Sequence, residues 1–278
     1  ELPGAFDAAS AEAAAAFGDG SVYVEKLVSP ARHVEIQVLC DGAGGVLTLG
    51  ERECSIQRRH QKLVEESPSA ALDEPTREAM EETVARACVA IGYRNAGTFE
   101  FLVGPDGAFY FIEVNCRLQV EHPVTELVTG IDIVREQIRV AAGEPLAVTG
   151  RAPRRGHAIE IRINAEDPAR GFLPAPGVVT RFDAPLGPGV RVDTAVRAGA
   201  GIPPYYDSMI AKLIAWDETR AAAIARTERA LRELVVEGIP TTRDLALDVL
   251  GSSQFRSGAY STSTLVELED LLPSLTAA

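Results

Sequence analysis

Two glutamates, an amide, a guanidinium, a third glutamate and an imidazole fall close together in this chain, as Glu100, Glu113, Asn115, Arg117, Glu121 and His122. All but Glu100 lie in the stretch FIEVNCRLQVEHPVT from Phe111 to Thr125. Carboxylate and amide oxygens are hard ligands of the kind Mg2+ and Mn2+ prefer. A guanidinium grips a small anion, and a carboxylate or imidazole moves a proton. Metal-assisted chemistry on an anionic substrate is therefore the chemistry these residue types offer.

Such residues need elements to aim them. GTFEFLV (Gly97 to Val103) and AFYFIEV (Ala108 to Val114) are apolar, aromatic and β-branched runs separated by Gly104-Pro105-Asp106-Gly107, which predicts a hairpin with a four-residue loop. With that loop centred between Pro105 and Asp106, Glu100 lies opposite Phe111, Glu113 is its diagonal neighbour on the same face, and Asn115 continues that face. Carboxylates this close repel unless a cation sits between them. The same pattern also suits a half-exposed sheet whose polar face carries two glutamates. Beyond the hairpin, Arg117, Gln119 and Glu121 recur at every second position, so a continued extended segment projects them together until His122-Pro123 ends it. An Arg and a Glu on one face suit binding and deprotonating a small anion, and equally suit a surface ion pair.

Elsewhere, an alanine-rich helix is expected over Ala8 to Phe17, a strand over Ser21 to Val28, and a strand pair at 32–40 and 45–50 joined by Asp41 to Gly44. Asp73 is positioned to cap a helix reaching Ile91, with Pro75 in its first turn and Gly92 past its end. A further helix is expected over Ile131 to Ala142. The Pro/Arg/Gly cluster from Gly150 to Gly156 marks a domain boundary, dividing the chain into 1–150 and 151–278. A strand at His157 to Asn164, turns between Pro174 and Pro204, a strand at Ser208 to Trp216 and a helix capped by Asp217, with Ile224, Leu231, Leu234 and Val235 on one stripe, complete an α+β pattern.

Composition bounds the possibilities. The net charge of −13 and pI near 4.9 argue against a general nucleic-acid surface, while leaving room for a local basic cleft. Cys40, Cys54, Cys88 and Cys116 show no CxxC spacing, and no apolar run approaches the ~18 residues of a membrane span. The expectation is a cytoplasmic protein with reduced thiols, and no signal peptide is visible in ELPGAFDAAS. The absence of an initiating Met suggests that Glu1 is not the natural beginning.

NCRLQVEHPVTE (Asn115 to Glu126) closely resembles the signature of biotin carboxylases, the ATP-grasp enzymes or subunits of biotin-dependent carboxylases. RHVEIQ (Arg32 to Gln37), ERECSIQRRHQK (Glu51 to Lys62), RINAEDP (Arg162 to Pro168) and PPYYDSMIAK (Pro203 to Lys212) agree in the expected order. The resemblance covers about Val22 to the region of Ser263. It implies an ATP-grasp C-terminal portion, an antiparallel sheet with helices, followed by a biotin carboxylase C-terminal α+β domain. By the same resemblance, Glu25, Lys26, Leu27, Val28, His33, Gln57, His60, Glu100, Leu102 and Glu113 would meet ATP. Glu100, Glu113 and Asn115 would hold two Mg2+ or Mn2+ ions. Lys62, Arg117, Val120 and Arg162 would hold bicarbonate, with Glu121 as base, and Arg162 would steady biotin. Taken alone, three of these segments have plainer readings: a strand interrupted by charge around Glu25-Lys26, a solvated basic loop at Arg58 to Lys62, and a salt-bridged strand arginine at Arg162. Ser208 reads as a turn residue, and Asp207 as one that could orient the site.

The implied partners are a biotin carboxyl carrier protein or domain, a carboxyltransferase subunit and a second copy of the chain. No nucleic acid and no membrane are expected. Two departures stand out. No glycine-rich GGGGRG-like loop is present, so the ATP-grasp portion reads as incomplete and the isolated chain is expected to bind ATP weakly. Cys116 stands where Thr is usual. Met80 and Met209 lie outside any AMKM-like motif, so biotin belongs on another protein or segment. Another ATP-grasp ligase joining a carboxylate to an amine, and a non-catalytic dimerisation scaffold, are the competing readings.

Overall fold

Alternation of polar and apolar residues builds the central sheet of the computed structural model, which describes residues 2–268 and 271–276. Among the described residues nine strands form this sheet: β1 (Arg32–Cys40), β2 (Val46–Arg58), β3 (Gln61–Ser67), β4 (Asn95–Val103), β5 (Phe109–Asn115), β6 (Gly150–Arg151), β7 (His157–Asn164), β8 (Val190–Thr194) and β9 (Met209–Asp217). Their order is β8-β9-β7-β3-β2-β1-β4-β5, with β6 beside β2. Only the β2–β6 pairing is parallel. The sheet continues through the β3–β7 pairing, across the Gly150–Gly156 cluster in sequence.

On β1, Val34, Ile36 and Val38 pack with Phe99 and Phe101 of β4 against Met80, Val84 and Cys88 of helix α2 (Glu74–Ile91), once helix α1 (Leu2–Phe17) is set aside as having no buried residue. The intervening residues His33, Glu35, Gln37, Thr98 and Glu100 take the opposite face by the two-residue period, yet they are buried too. A polar sheet face under cover is the precondition for a site. Helix α3 (His122–Thr129) supplies cover further along, where Val124 and Val128 pack on Ala158 and Ile214. The other side of β7 buries Ile159, Ile161 and Ile163 with residues of helices α5 (Arg220–Glu233) and α6 (Arg243–Gly251), the helix α4 (Ile133–Ala141) lying earlier in the chain.

Local signals account for several boundaries. The Asp73 side chain accepts from the Thr76 amide, Pro75 occupies the first turn of α2, and Gly92 closes it at φ +63°. The helix predicted at Asp217 is instead capped by Thr219, whose hydroxyl accepts from the Ala222 amide. Strand β9 runs through Asp217, and that side chain pairs with Arg226. The strand expected at Ser21 to Val28 is irregular and mostly exposed, because no neighbouring strand pairs with it among the described residues. Basic Arg58 to Lys62 is not an open loop. It is the β2–β3 hairpin, turning through Arg59 and His60 at φ +49° and +67°, the two-residue left-handed geometry that matches strand twist. No helix among the described residues is long and apolar enough to cross a membrane.

The β4–β5 register differs from expectation in a way that matters. Five residues, 104–108, separate the strands, and an irregularity at Ile112 shifts the pairing once more. Glu113 therefore stands directly opposite Glu100 rather than diagonal to it, and Phe111 pairs with Phe101.

Candidate active site

Strand pairing places Glu35 directly across from both Arg52 on β2 and Glu100 on β4. Lys62, at the start of β3, reaches into this face: its Nζ lies 2.6 Å from Glu35 Oε2, 3.2 Å from Glu100 Oε1 and 2.5 Å from Glu121 Oε1. Arg52 backs the cluster from below, fully buried, with Nε 2.5 Å from Glu35 Oε1 and further bonds to Gln37, Thr98 and Thr125. Burial alone would raise the Glu35 pKa, but Lys62 and Arg52 hold it at about 2. Burial likewise opposes ionisation of Glu100, yet the His33 hydrogen bond of 2.7 Å and the Lys62 charge bring it down to about 2. For His33 burial favours the neutral ring, and the Glu100 bond more than offsets it, raising the pKa. Burial disfavours the Lys62 ammonium, but Glu35 and the other anions hold its pKa above the ordinary lysine value.

The Glu100–Glu113 pair bears on metal binding. Asn115 Nδ2 donates to Glu100 Oε1 at 2.9 Å and to Glu113 Oε1 at 3.0 Å, so amide hydrogens stand between two carboxylates that would otherwise repel. Glu113 is exposed while Glu100 is buried, leaving an open side. An all-oxygen set of two carboxylates and one amide on adjacent strands fits Mg2+ or Mn2+.

At the other end, Arg162 on β7 has Nη2 3.0 Å from Glu121 Oε2 and Nε 2.6 Å from Glu65 Oε1. Glu121 thus has an ammonium at one oxygen and a guanidinium at the other. A cleft of about 500 Å³ opens here, lined by His60, Lys62, Val120, Arg162 and Asp207 among others. The Val120 carbonyl is fixed by Lys212 Nζ at 2.8 Å.

The extended continuation expected for Arg117 to Glu121 does not form. β5 stops at Asn115, and Glu121 sits at φ −79°, ψ 9° at the entry to α3, with Pro123 in the helix's first turn, where its missing N–H costs nothing. Compact turns, not strand alternation, bring Gln119 and Glu121 to Lys62. Arg117 is exposed and bonds Asn115 Oδ1 and the Leu118 carbonyl, both at 3.3 Å, so it reaches the cluster only through Asn115.

Of the other predicted positions, Leu102 pairs with His33 and Gln57 with Lys62, and His60 lies at the hairpin tip beside the cleft. Glu25, Lys26 and Leu27 are exposed, Val28 is partly buried, and Lys26 bonds the Tyr110 hydroxyl at 2.9 Å, away from the Lys62 cluster. Sequence reasoning gave no role to Glu35, Arg52 or Glu65. For Glu35 the available signal was a polar residue at every second position of an otherwise apolar run, as in RHVEIQ and in IEIRIN around Arg162, whereas Arg52 in ERE and Glu65 in EE carry no such alternation.

Comparison with known proteins bears on the family and the fold. The family described as "Carbamoyl-phosphate synthase L chain, ATP binding domain" matches residues 1–149, and "Biotin carboxylase C-terminal domain" matches 160–267. A biotin carboxylase of Nostoc sp. is 53% identical over 264 residues, covering 95% of this chain and 59% of its own length. The biotin carboxylase domain of Hydrogenobacter thermophilus 2-oxoglutarate carboxylase, solved with MgADP, ADP and bicarbonate, superposes with a TM-score of 0.93 at 45% identity, covering 100% of this chain and 61% of that one. Campylobacter jejuni biotin carboxylase, in a β,γ-ATP complex, gives 0.90 at 49% identity over 95% and 59%. The chain therefore spans about three-fifths of the length of these relatives. Matched by the two families over residues 1–149 and 160–267 and sharing about half its residues with named biotin carboxylases, the chain belongs to the biotin carboxylase family.

Proposed function

We propose that this chain contributes the catalytic edge of an ATP- and bicarbonate-dependent biotin carboxylase working within a biotin-dependent carboxylase. In this reading residues 1–150 belong to the ATP-grasp domain and 151–278 to the C-terminal domain. The observation that carries it is the buried Glu121 held between Lys62 and Arg162, the two cations that line the cleft. Bicarbonate, entering there, meets two cations and one carboxylate. Lys62 and Arg162 turn their positive charge to the anion while Glu121 takes its proton, and the resulting dianion attacks the γ-phosphate of ATP, displacing ADP, to give carboxyphosphate. Divalent ions held by Glu100, Glu113 and Asn115 would supply the charge that neutralises the ATP phosphates. His33 and Lys62 fix Glu100 so that its carboxylate stays ionised and oriented. Exclusion of water from the cleft favours collapse of carboxyphosphate to CO2 and phosphate, phosphate takes the biotin N1 proton, and Arg162 stabilises the enolate-like biotin until it captures CO2. Glu25, Lys26, Leu27, Val28, Gln57, His60 and Leu102 serve the nucleotide, and Arg117 and Val120 the bicarbonate.

The partners in this reading are a biotin carrier and a carboxyltransferase, with the carboxylase dimeric. In the full-length enzyme, Glu121→Gln is expected to abolish bicarbonate-dependent ATP cleavage while nucleotide binding, measured by calorimetry, changes less than about threefold. Normal turnover by that variant removes Glu121 as the base.

A further inference from the structure

Glu65 on β3 and Glu160 on β7 are direct cross-strand partners, both 0% exposed, and the chemistry above leaves Glu160 without a task. Glu65 Oε1 accepts from Arg162 Nε, whereas Glu65 Oε2 and both oxygens of Glu160 have no hydrogen-bond partner. The surrounding cations are committed elsewhere. Arg162 is divided between Glu65 and Glu121, Lys62 serves Glu35, Glu100 and Glu121, and Lys212, opposite Arg162 on β9, bonds Val120 and Asp193. Cys54 of β2 is the remaining titratable group near Glu65. Among the described residues no ion pair reaches Glu160. A buried carboxylate with no partner is too costly to remain charged and takes up a proton instead.

We propose that Glu65 and Glu160 carry one proton between them and act as a positioning pair for Arg162, with Glu65 ionised as its anchor and Glu160 neutral behind it. The role assigned to Arg162 rests on the function proposed above. A charged Glu160, two residues before Arg162 on the same strand face, would draw the guanidinium into the sheet and away from Glu121. A neutral one leaves Arg162 aimed at the cleft. Burial first, then the Glu65 charge, push the Glu160 pKa well up, while the rise that burial gives Glu65 is opposed by the Arg162 charge and hydrogen bond. The two groups titrate as a pair. The sign follows: the unfolded chain releases the Glu160 proton at the ordinary glutamate value while the folded chain retains it, so stability falls as pH rises above that value.

In the full-length enzyme, Glu160→Gln keeps the shape of the neutral acid and removes its titration. Its Tm is expected to exceed the wild-type value by ~3 °C or more at pH 8, the difference shrinking to ~1 °C or less at pH 5. The infrared difference spectrum of wild type against this variant at pH 7 is expected to contain a protonated-carboxyl C=O band. Glu65→Gln is expected to lower kcat for biotin carboxylation about tenfold or more while KM for ATP stays within about twofold. Misfolding of Glu160→Gln, a Tm penalty equal at both pH values, a missing carboxyl band, or unchanged kcat in Glu65→Gln overturns the proposal. A wild-type enzyme without bicarbonate-dependent ATP cleavage would overturn the functional reading instead, and the Tm and infrared measurements would still decide the protonation of the pair.

Discussion

Glu35 and Glu100 face each other across β1 and β4, and Glu65 and Glu160 face each other across β3 and β7, two of the cross-strand carboxylate pairs that this one sheet builds, each with both members buried. The pairs end in opposite states. Lys62 touches both members of the first, with Arg52 and His33 behind, and their pKa values fall to about 2. The second receives a single guanidinium nitrogen, at Glu65, and both its pKa values rise. Burial is comparable, so the number of cations within reach decides whether a buried carboxylate is an anion or an acid. In the proposed function the first pair would set fixed negative charge beside the nucleotide site, and the second would offer Arg162 a single anion as its anchor.

The largest effect on this contrast is expected from Lys62→Met, which leaves Glu35, Glu100 and Glu121 without their shared ammonium. A loss of roughly 3–5 kcal/mol in denaturant-unfolding stability at pH 7 is expected, together with loss of activity. A change below about 1 kcal/mol would show that Arg52 and His33 suffice. Glu35→Gln should cost less, roughly 1–3 kcal/mol, because Arg52 keeps its bonds to Gln37, Thr98 and Thr125. The pH profile separates the pairs next. Glu35 and Glu100 start from 4.5 unfolded and sit at about 2 folded, so their stabilisation is complete above pH 4.5 and is lost as pH falls towards 2. Glu160 acts in the other direction, stability declining as pH rises. Chemical denaturation between pH 2 and 8 should therefore show an acid limb that Lys62→Met shrinks and an upper limb that Glu160→Gln shrinks. Asp73→Ala, at a helix cap remote from both pairs, should have the smallest effect, a slight loss that trims the acid limb, because the Thr76 hydrogen bonds hold the Asp73 carboxyl below its ordinary value, and that leaves the upper limb unchanged.

Legibility in the sequence followed the range of the interactions. The α2 cap, the β7 strand and the Asn115 to Glu121 inventory depend on neighbours within a few positions, and each could be read directly. The β4–β5 hairpin could be read, but its register could not, since one irregularity at Ile112 moves Glu113 by a full pair. The β2–β3 turn at Arg59-His60 was hidden because neither residue is a common left-handed turn former, and the flanking strands impose the geometry. Asp217 looked like a cap and became the end of a strand for the same reason: pairing with His157 on β7 extends β9 beyond its apolar run.

The order of chemical groups along the chain and the family they mark were determined by sequence alone, since both are matters of residue identity and spacing. Only the tertiary structure decided that Lys62 is shared by Glu35, Glu100 and Glu121, that Arg162 meets both Glu65 and Glu121, and that Glu160 is left alone. Charge state and role depend on which groups meet in a dry, low-dielectric interior, and strands far apart in sequence make those meetings.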